Sequence, residues 1–415
     1  MQRRQLLRAT GGALLAASLG VGRAAQATAA GRVIIVGGGM AGNTLARYLK
    51  LWGRRRVDVT LVDRAPTYVS NIMSSLVLTG QRSLSSLTYS RNALAAQGVK
   101  LVVDEVLAVD PAAPSVTLAA GGTLQADRVV LAPGIAFEPP PGYDETRMPH
   151  AWQAGPQTTL LAQQLAALPA NGTVVLTIPP TPYRCPPGPY ERACLLADWL
   201  RANKPGARLL VLDANPDIVV EQDNFSAAFY GLHADVLEYR PGVSIDAVDA
   251  AGMTLHTNQG PVTADVVNLI PRQRAGRIVT DAGLATANGG RFAPVDVLNY
   301  ASTAAPAVHV IGDSSATTQP KAGHIGNQEA KVCADALLRA FDGLAPDAAP
   351  VTNSACFSTI TMTQASWLTA VFQYDATTRA MAAVSASSAA SNGWSRGNFS
   401  DMDTWFRALM SDTLG

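Results

Sequence analysis

The stretch RVIIVGGGMAG, residues 32–42, decides the fold. Val33-Ile34-Ile35-Val36 is a short apolar run of β-branched residues and reads as a buried strand. Gly37, Gly39 and Gly42 then satisfy G-x-G-x-x-G, and a helical stretch follows to Lys50. In this strand–turn–helix setting the glycines allow a tight turn, close approach of a pyrophosphate and packing of helix on strand, with the helix N-terminus facing the phosphates. Gly38, Met40 and Ala41 complete that turn. A second strand, 57–62, ends in Asp63, about where an acid holds the ribose, with Arg64 beside it. The chain thus opens with a Rossmann-type dinucleotide unit, and Val106 is placed in the same cofactor site.

Upstream of this stretch lies a targeting segment. Arg3-Arg4-Gln5-Leu6-Leu7 is similar to a twin-arginine export signal, followed by the apolar run 9–22 and small residues to Ala29. The run is short for a membrane span, although an uncleaved anchor is the alternative. The twin-arginine route carries folded proteins, so a periplasmic protein that acquires its cofactor before export is expected. Loss of residues 1–30 removes four arginines and no acids, leaving 28 basic against 31 acidic residues. That charge selects no partner, and the formal +1 of the whole chain leaves no footprint for nucleic acid. With 415 residues, 48% of them hydrophobic and 15% charged, the chain is globular and long enough for two or three domains. No later stretch reads as a bilayer span, so a soluble mature protein is expected and a membrane partner is not.

Two further strands choose the dinucleotide. Residues 127–134 form a strand ending in Ala132-Pro133-Gly134, and residues 308–313 another ending in Gly312-Asp313. Such a split site, with N- and C-terminal pieces flanking an insert, is similar to the FAD domain of two-dinucleotide flavoproteins. There the aspartate contacts the flavin side of the cofactor. The insert repeats the α/β pattern, with strands expected at 173–178, 208–212 and 266–270 and a helix over 190–202. Yet its strand-to-helix turn is PPTPYRCPPGP, residues 179–189. Its first six residues offer no glycine for a positive-φ turn, and prolines donate no N–H to a phosphate. NAD(P)H is therefore not expected as the electron donor.

The stretches His150-Ala151-Trp152, Arg184-Cys185-Pro186-Pro187-Gly188-Pro189-Tyr190-Glu191-Arg192, 266–271 with 273–276, Pro320-Lys321-Ala322-Gly323 and 412–415 resemble the flavoprotein subunit of flavocytochrome c sulfide dehydrogenase and its sulfur-oxidation-cluster relatives. The resemblance runs from about Gly31 to the end of the chain. It implies an α/β, two-dinucleotide-binding-domain flavoprotein of disulfide-reductase-like, Rossmann-type architecture with a C-terminal interface domain. The expected divisions are a signal at 1–30, an FAD domain at 31–147 and 272–345, a second Rossmann-like domain at 148–271, and the C-terminal domain at 346–415.

Of the four cysteines, Cys194 and Cys333 lie in apolar helical contexts and read as core residues. Cys185 stands beside Arg184 before a helix N-terminus, features that favour thiolate and an exposed sulfur. Spacing alone does not choose a pair, and a structural disulfide is the plain alternative in an oxidising compartment. The resemblance implies a Cys185–Cys356 redox disulfide over the flavin, opened by hydrosulfide, with electrons passing to FAD and then to a separate c-type cytochrome. No C-x-x-C-H occurs, so the chain carries no haem of its own, and no metal site is expected. Glu191 is a candidate acid/base or a helix N-terminal carboxylate. Lys321 and Gly323 are placed near the flavin, the lysine as a cation favouring the anionic reduced form. Trp152 and Trp367 are taken as core.

The chain departs from the family at Asn71, which stands where better-known members attach FAD through a cysteine; FAD is therefore expected to be non-covalent. Sulfide:quinone oxidoreductase is one rival, with the amphipathic stretch 405–410 available to a membrane or a partner. A non-catalytic flavoprotein that binds and maintains sulfur-oxidation proteins is the other.

Overall fold

Strand β1 (Gly31–Val36) is buried over most of its length, which is what an all-apolar run does in a sheet covered on both faces. In this computed structural model, which describes residues 31–415, β1 runs through Gly37-Gly38-Gly39 into helix α1 (Met40–Gly53) and then β2 (Val57–Asp63). The export segment expected at residues 1–30 lies outside the described residues. Strands β3 (Lys100–Val103) and β4 (Arg128–Leu131) follow. The chain then enters a second unit, built of β5 (Thr173–Ile178), α2 (Gly188–Asn203), β6 (Arg208–Asp213), β7 (Leu237–Arg240) and β8 (Val266–Asn268). It returns to the first unit through β9 (Val308–Val310) and α3 (Gly323–Phe341). It ends with β10 (Val351–Thr359), β11 (Ala365–Asp375) and α4 (Arg396–Leu414).

The first sheet contains the parallel order β9-β4-β1-β2-β3. The second is parallel throughout, in the order β7-β6-β5-β8. Each is a Rossmann-type sheet, so the fold is α/β with two dinucleotide-type units. An antiparallel pair, Ile135–Glu138 with Arg272–Ala275, forms where the chain leaves the first unit and re-enters it.

Boundaries differ from expectation in small ways. Helix α2 starts two residues early, at Gly188, because Pro189 falls in its first turn, where a missing N–H costs nothing. Strand β8 stops at Asn268, two residues short of the apolar run.

The tail needs a larger correction. The amphipathic stretch 405–410 does not offer its apolar side to a membrane or partner. Within α4, Phe406, Leu409, Met410 and Leu414 are buried in the core formed by α1 and α3, with Leu45, Leu49, Ala334 and Leu337. Polar contacts lock the register: Asn327 Nδ2 donates to Asp412 Oδ2 at 2.8 Å, and Lys331 Nζ pairs with the same oxygen at 2.8 Å. Burying a wide apolar helix stripe against the nearest open core face is the stronger driving force. No described helix is long and apolar enough to cross a membrane.

Candidate active site

One cavity of about 440 Å3 lies where the two units and the C-terminal strands meet. Its first wall is the β1–α1 turn. Gly37 has φ +100°, and a Cβ there would fall 2.4 Å from Ala132 O; one on Gly42 would fall 1.8 Å from Gly37 O. Gly39 has only open space around its missing Cβ. Gly37 and Gly42 are thus required by packing, while Gly39 leaves the helix N-terminus open to an incoming group. Gly37, Gly38, Gly39, Met40 and Ala41 all line the cavity; Gly42 lies behind them.

Asp63, at the end of β2, accepts the Gly38 N–H at 2.5 Å. Arg64, Asn71, Ala132, Pro133 and Gly134 also line the cavity. Asn71 Oδ1 accepts the Ala154 N–H at 2.8 Å, tying this wall to the entry of the second unit. Buried Arg91 was not expected. It donates to Gly38 O and Asn43 Oδ1 and lies 3.5 Å from Asp63. A lone arginine far along the chain carries no signal that it closes under the glycine turn. Val106 is a correction: it does not line the cavity but packs beside Val109 and Val116 in the apolar cluster on the other side of the sheet.

At the end of β9, Gly312 (φ +71°) and Asp313 reach the cavity. Glu329 of α3 accepts the Gly312 N–H at 2.6 Å and holds this turn from beneath, a role no sequence motif announces. Gly323, at the start of α3, lines the cavity, but Lys321 does not. The Lys321 Nζ donates to Asp313 O (2.9 Å) and Ser315 O (2.6 Å) and lies 3.8 Å from the centre of the Phe292 ring. The cation expected to face the flavin is therefore consumed under the turn, because two backbone carbonyls and an aromatic face satisfy it there.

The proline turn before α2 supplies the opposite wall. Its positive-φ residue is Cys185 itself, at φ +58°, a region that costs an ordinary side chain and persists only where the surroundings over-determine it. They do. The Cys185 N–H donates to Lys321 O at 2.6 Å, the Gly188 N–H to Cys185 O at 2.9 Å, and the Arg184 N–H to Gln273 Oε1 at 2.8 Å. From the C-terminal segment β10 brings Cys356, whose neighbour Ala355 donates its N–H to His324 Nδ1 at 3.0 Å. Cys185 and Cys356 line the same cavity, and both are free thiols in the structure. Glu191 lines it too and accepts from Thr359 Oγ1 at 3.0 Å. Trp152 joins them, as do Trp405 and His324, which the sequence did not single out; Trp367 does not.

The electrostatics revise one expectation. Cys185 does not favour thiolate: burial pushes its thiol well up, and the charges of Cys356 and Glu191 add to this, outweighing Arg184 and the Gly188 N–H. Burial likewise raises Cys356, to about 12. Each sulfur is a poor anion alone and a better one when a cation or cofactor shares its charge. Glu191 is raised to about 7, by burial first, with the Thr359 hydrogen bond opposing.

In the second unit the acid at the end of β6 is held by hydrogen bonds within the protein. Asp213, at the end of β6, is fully buried and accepts from Tyr190 Oη (2.7 Å) and Tyr239 Oη (2.8 Å). Its other oxygen accepts from the backbone N–H and Nδ2 of Asn215. Both carboxylate oxygens of Asp213 thus have protein donors.

The residues of the first wall suit FAD. Gly39 leaves open space at a helix N-terminus, and Asp63 stands beside the same glycine turn, where it accepts the Gly38 N–H.

Comparison with known proteins agrees with this geometry. Residues 158–271 match the family described as sulfide dehydrogenase (flavocytochrome c) flavoprotein chain, central. Residues 31–163 match the pyridine nucleotide-disulphide oxidoreductases. Among solved structures, the sulfide:quinone oxidoreductase of Aquifex aeolicus is similar with a TM-score of 0.76 and 16% identity, over 92% of this chain and 91% of that one. The water-forming NADH oxidase of Lactobacillus brevis gives 0.59 and 16%, over 82% and 84%. Putidaredoxin reductase in its covalent putidaredoxin complex gives 0.62 and 20%, over 83% and 87%. At these identities the structures establish the fold alone. The two family matches, over residues 31–163 and 158–271, support a flavoprotein oxidoreductase similar to the flavoprotein chain of flavocytochrome c sulfide dehydrogenase.

Proposed function

We propose that this protein oxidises hydrosulfide with Cys185 and Cys356 as its redox pair, and that a separate c-type cytochrome takes the electrons. The observation that carries this reading is that Cys185 and Cys356, from different parts of the chain, both line the cavity that the glycine turn and Asp313 also line. With the pair oxidised, hydrosulfide attacks one sulfur: a new S–S bond forms, the Cys–Cys bond breaks, and the products are a cysteine persulfide and a cysteine thiolate. Two electrons have moved from the sulfide sulfur to the pair. Glu191 takes the persulfide proton, Arg184 and the α2 N-terminus offset the thiolate, and Trp152 with Trp405 limits water. A second hydrosulfide then removes the outer sulfur as a hydrogen disulfide anion, and the proton held by Glu191 returns to the sulfur left behind, so the reduced pair is one thiol and one thiolate. FAD, when bound, supplies the two-electron acceptor that restores the disulfide and releases electrons one at a time.

The internally bonded Asp213 and the proline turn support a donor other than NAD(P)H. FAD is proposed to be non-covalent, since Asn71 stands at the family's cysteine position. Release of the flavin on acid precipitation is expected, and retention overturns that point. Residues 1–30 support export to the periplasm by the twin-arginine route.

The test is anaerobic titration of the FAD-loaded protein with sulfide, with NADH as control. Bleaching of the flavin by sulfide and not by NADH is the expected result. Bleaching by NADH alone overturns the reading, and no bleaching by either moves the non-catalytic binding role ahead.

A further inference from the structure

With Lys321 consumed under the Gly312–Asp313 turn, the cavity still contains a cation whose charge no carboxylate matches. Arg184 is 9% exposed and lines the cavity. Its Nη2 donates to Trp152 O, while Nε and Nη1 have no protein acceptor among the described residues. No described carboxylate lies within ion-pair distance of it; the acidic group whose charge it feels most is Asp313, ahead of the Cys185 thiol. A buried guanidinium with spare donors and no partner is costly in a folded protein unless an anion arrives to meet it. Its backbone is fixed by Gln273 and by the strained Cys185 turn, so the charge is held in place before any ligand enters.

We propose that Arg184, and not Lys321, is the cation that answers the negative charge placed on the bound flavin when it is reduced. Two electrons and one proton added to the ring system leave one net negative charge, and a fixed cation nearby makes reduction more favourable. The inference rests on the reading that the cavity takes FAD. It assigns Arg184 to the cofactor first and to the sulfur second, and explains why an arginine precedes Cys185 although burial still dominates that thiol.

The experiment is the flavin midpoint potential of FAD-loaded wild-type, R184K, R184Q and K321M proteins, read with dithionite and an indicator dye in the absence of sulfide. R184Q is expected to lower the equilibrium constant for two-electron reduction by about tenfold or more, equivalent to about 30 mV. R184K retains most of the wild-type potential, and K321M changes it less than R184Q does. An unchanged potential in R184Q, or a larger shift in K321M, overturns the proposal. If R184Q holds oxidised FAD too weakly for the titration, dissociation constants for the two redox states report the same coupling. The variant must then weaken reduced FAD more than oxidised FAD, and equal weakening overturns the assignment. A wild-type chain that binds no FAD removes the cavity reading itself, a result distinct from an unchanged potential. Failure of sulfide turnover leaves this measurement intact.

Discussion

A β-carbon on Gly188 would fall 2.8 Å from the Cys185 Sγ and 2.9 Å from the Trp152 ring. The glycine is therefore needed for space, not for an unusual φ: it lets the first turn of α2 pass directly behind the sulfur. The family-like sequence of the proline turn acquires a physical meaning here. The prolines stiffen the turn, Cys185 takes the strained φ, and Gly188 leaves room for its side chain.

Gly188→Ala tests that relationship. The added methyl must displace either the sulfur or the indole, and displacements of this size are costly for reacting atoms. Sulfide-driven flavin bleaching is expected to slow roughly tenfold to 100-fold, with FAD content and the flavin spectrum retained. A rate equal to wild type in stopped-flow measurements sinks the argument.

Cys185→Ser and Cys356→Ser should each abolish reduction of the flavin by sulfide while leaving dithionite reduction and FAD binding in place. Anaerobic absorbance titration distinguishes the two. Full sulfide reduction in either variant removes the disulfide from the mechanism.

Glu191 is expected to set a pH dependence. Its folded-state value is raised to about 7 by burial, so the carboxylate that takes the persulfide proton forms only as pH rises through that region. The rate of sulfide-driven bleaching should climb across pH 6 to 8, on the order of that shifted value, and Glu191→Gln should remove this limb relative to wild type. Stability moves the other way: a carboxyl raised in the folded state favours folding at low pH, and that contribution is lost as pH rises from the ordinary carboxylate range through about 7. A rate profile unchanged by Glu191→Gln excludes it as the proton acceptor.

Asp213→Asn offers a test of the second unit. It leaves Tyr190 and Tyr239 with a weaker, neutral acceptor in a buried place, and a loss of roughly 1–3 kcal/mol is expected in denaturant unfolding. NADH should still fail to bleach the flavin. Gain of NADH reactivity would show that the tyrosines exclude a nucleotide rather than replace one.

Phe406→Ala addresses the tail. Because Phe406 is buried in the core cluster to which α1 and α3 also contribute, its ring against Tyr89, the cavity it leaves should cost about 3–5 kcal/mol, seen as a lowered unfolding midpoint. An unaffected midpoint means that the helix is free for a partner after all.

The glycine turn, Asp63 and the apolar strands were legible from residue order alone, because a dinucleotide turn needs glycines at set offsets and a parallel strand needs a continuous apolar run. These are local demands, satisfied within a few residues. That Cys185 and Cys356 line one cavity was implied only by resemblance, since spacing says nothing about which distant segments share a cavity. Arg91 and Glu329 were missed for the same reason: each acts through one hydrogen-bonded contact with a turn far away in the chain. Lys321 and Val106 were misplaced because a residue's position after a motif does not say which side of the backbone its side chain takes. The α4 stripe was read correctly as amphipathic but assigned to the wrong neighbour, the core to which α1 and α3 contribute being formed only after folding. Sequence by itself determined the two dinucleotide-type sheets and the proline-rich, glycine-poor turn of the second one, through periodicity and turn chemistry. Tertiary structure decided that Lys321 lies under the Gly312–Asp313 turn while Arg184 lines the cavity, and that burial raises both thiols, because non-local packing sets both.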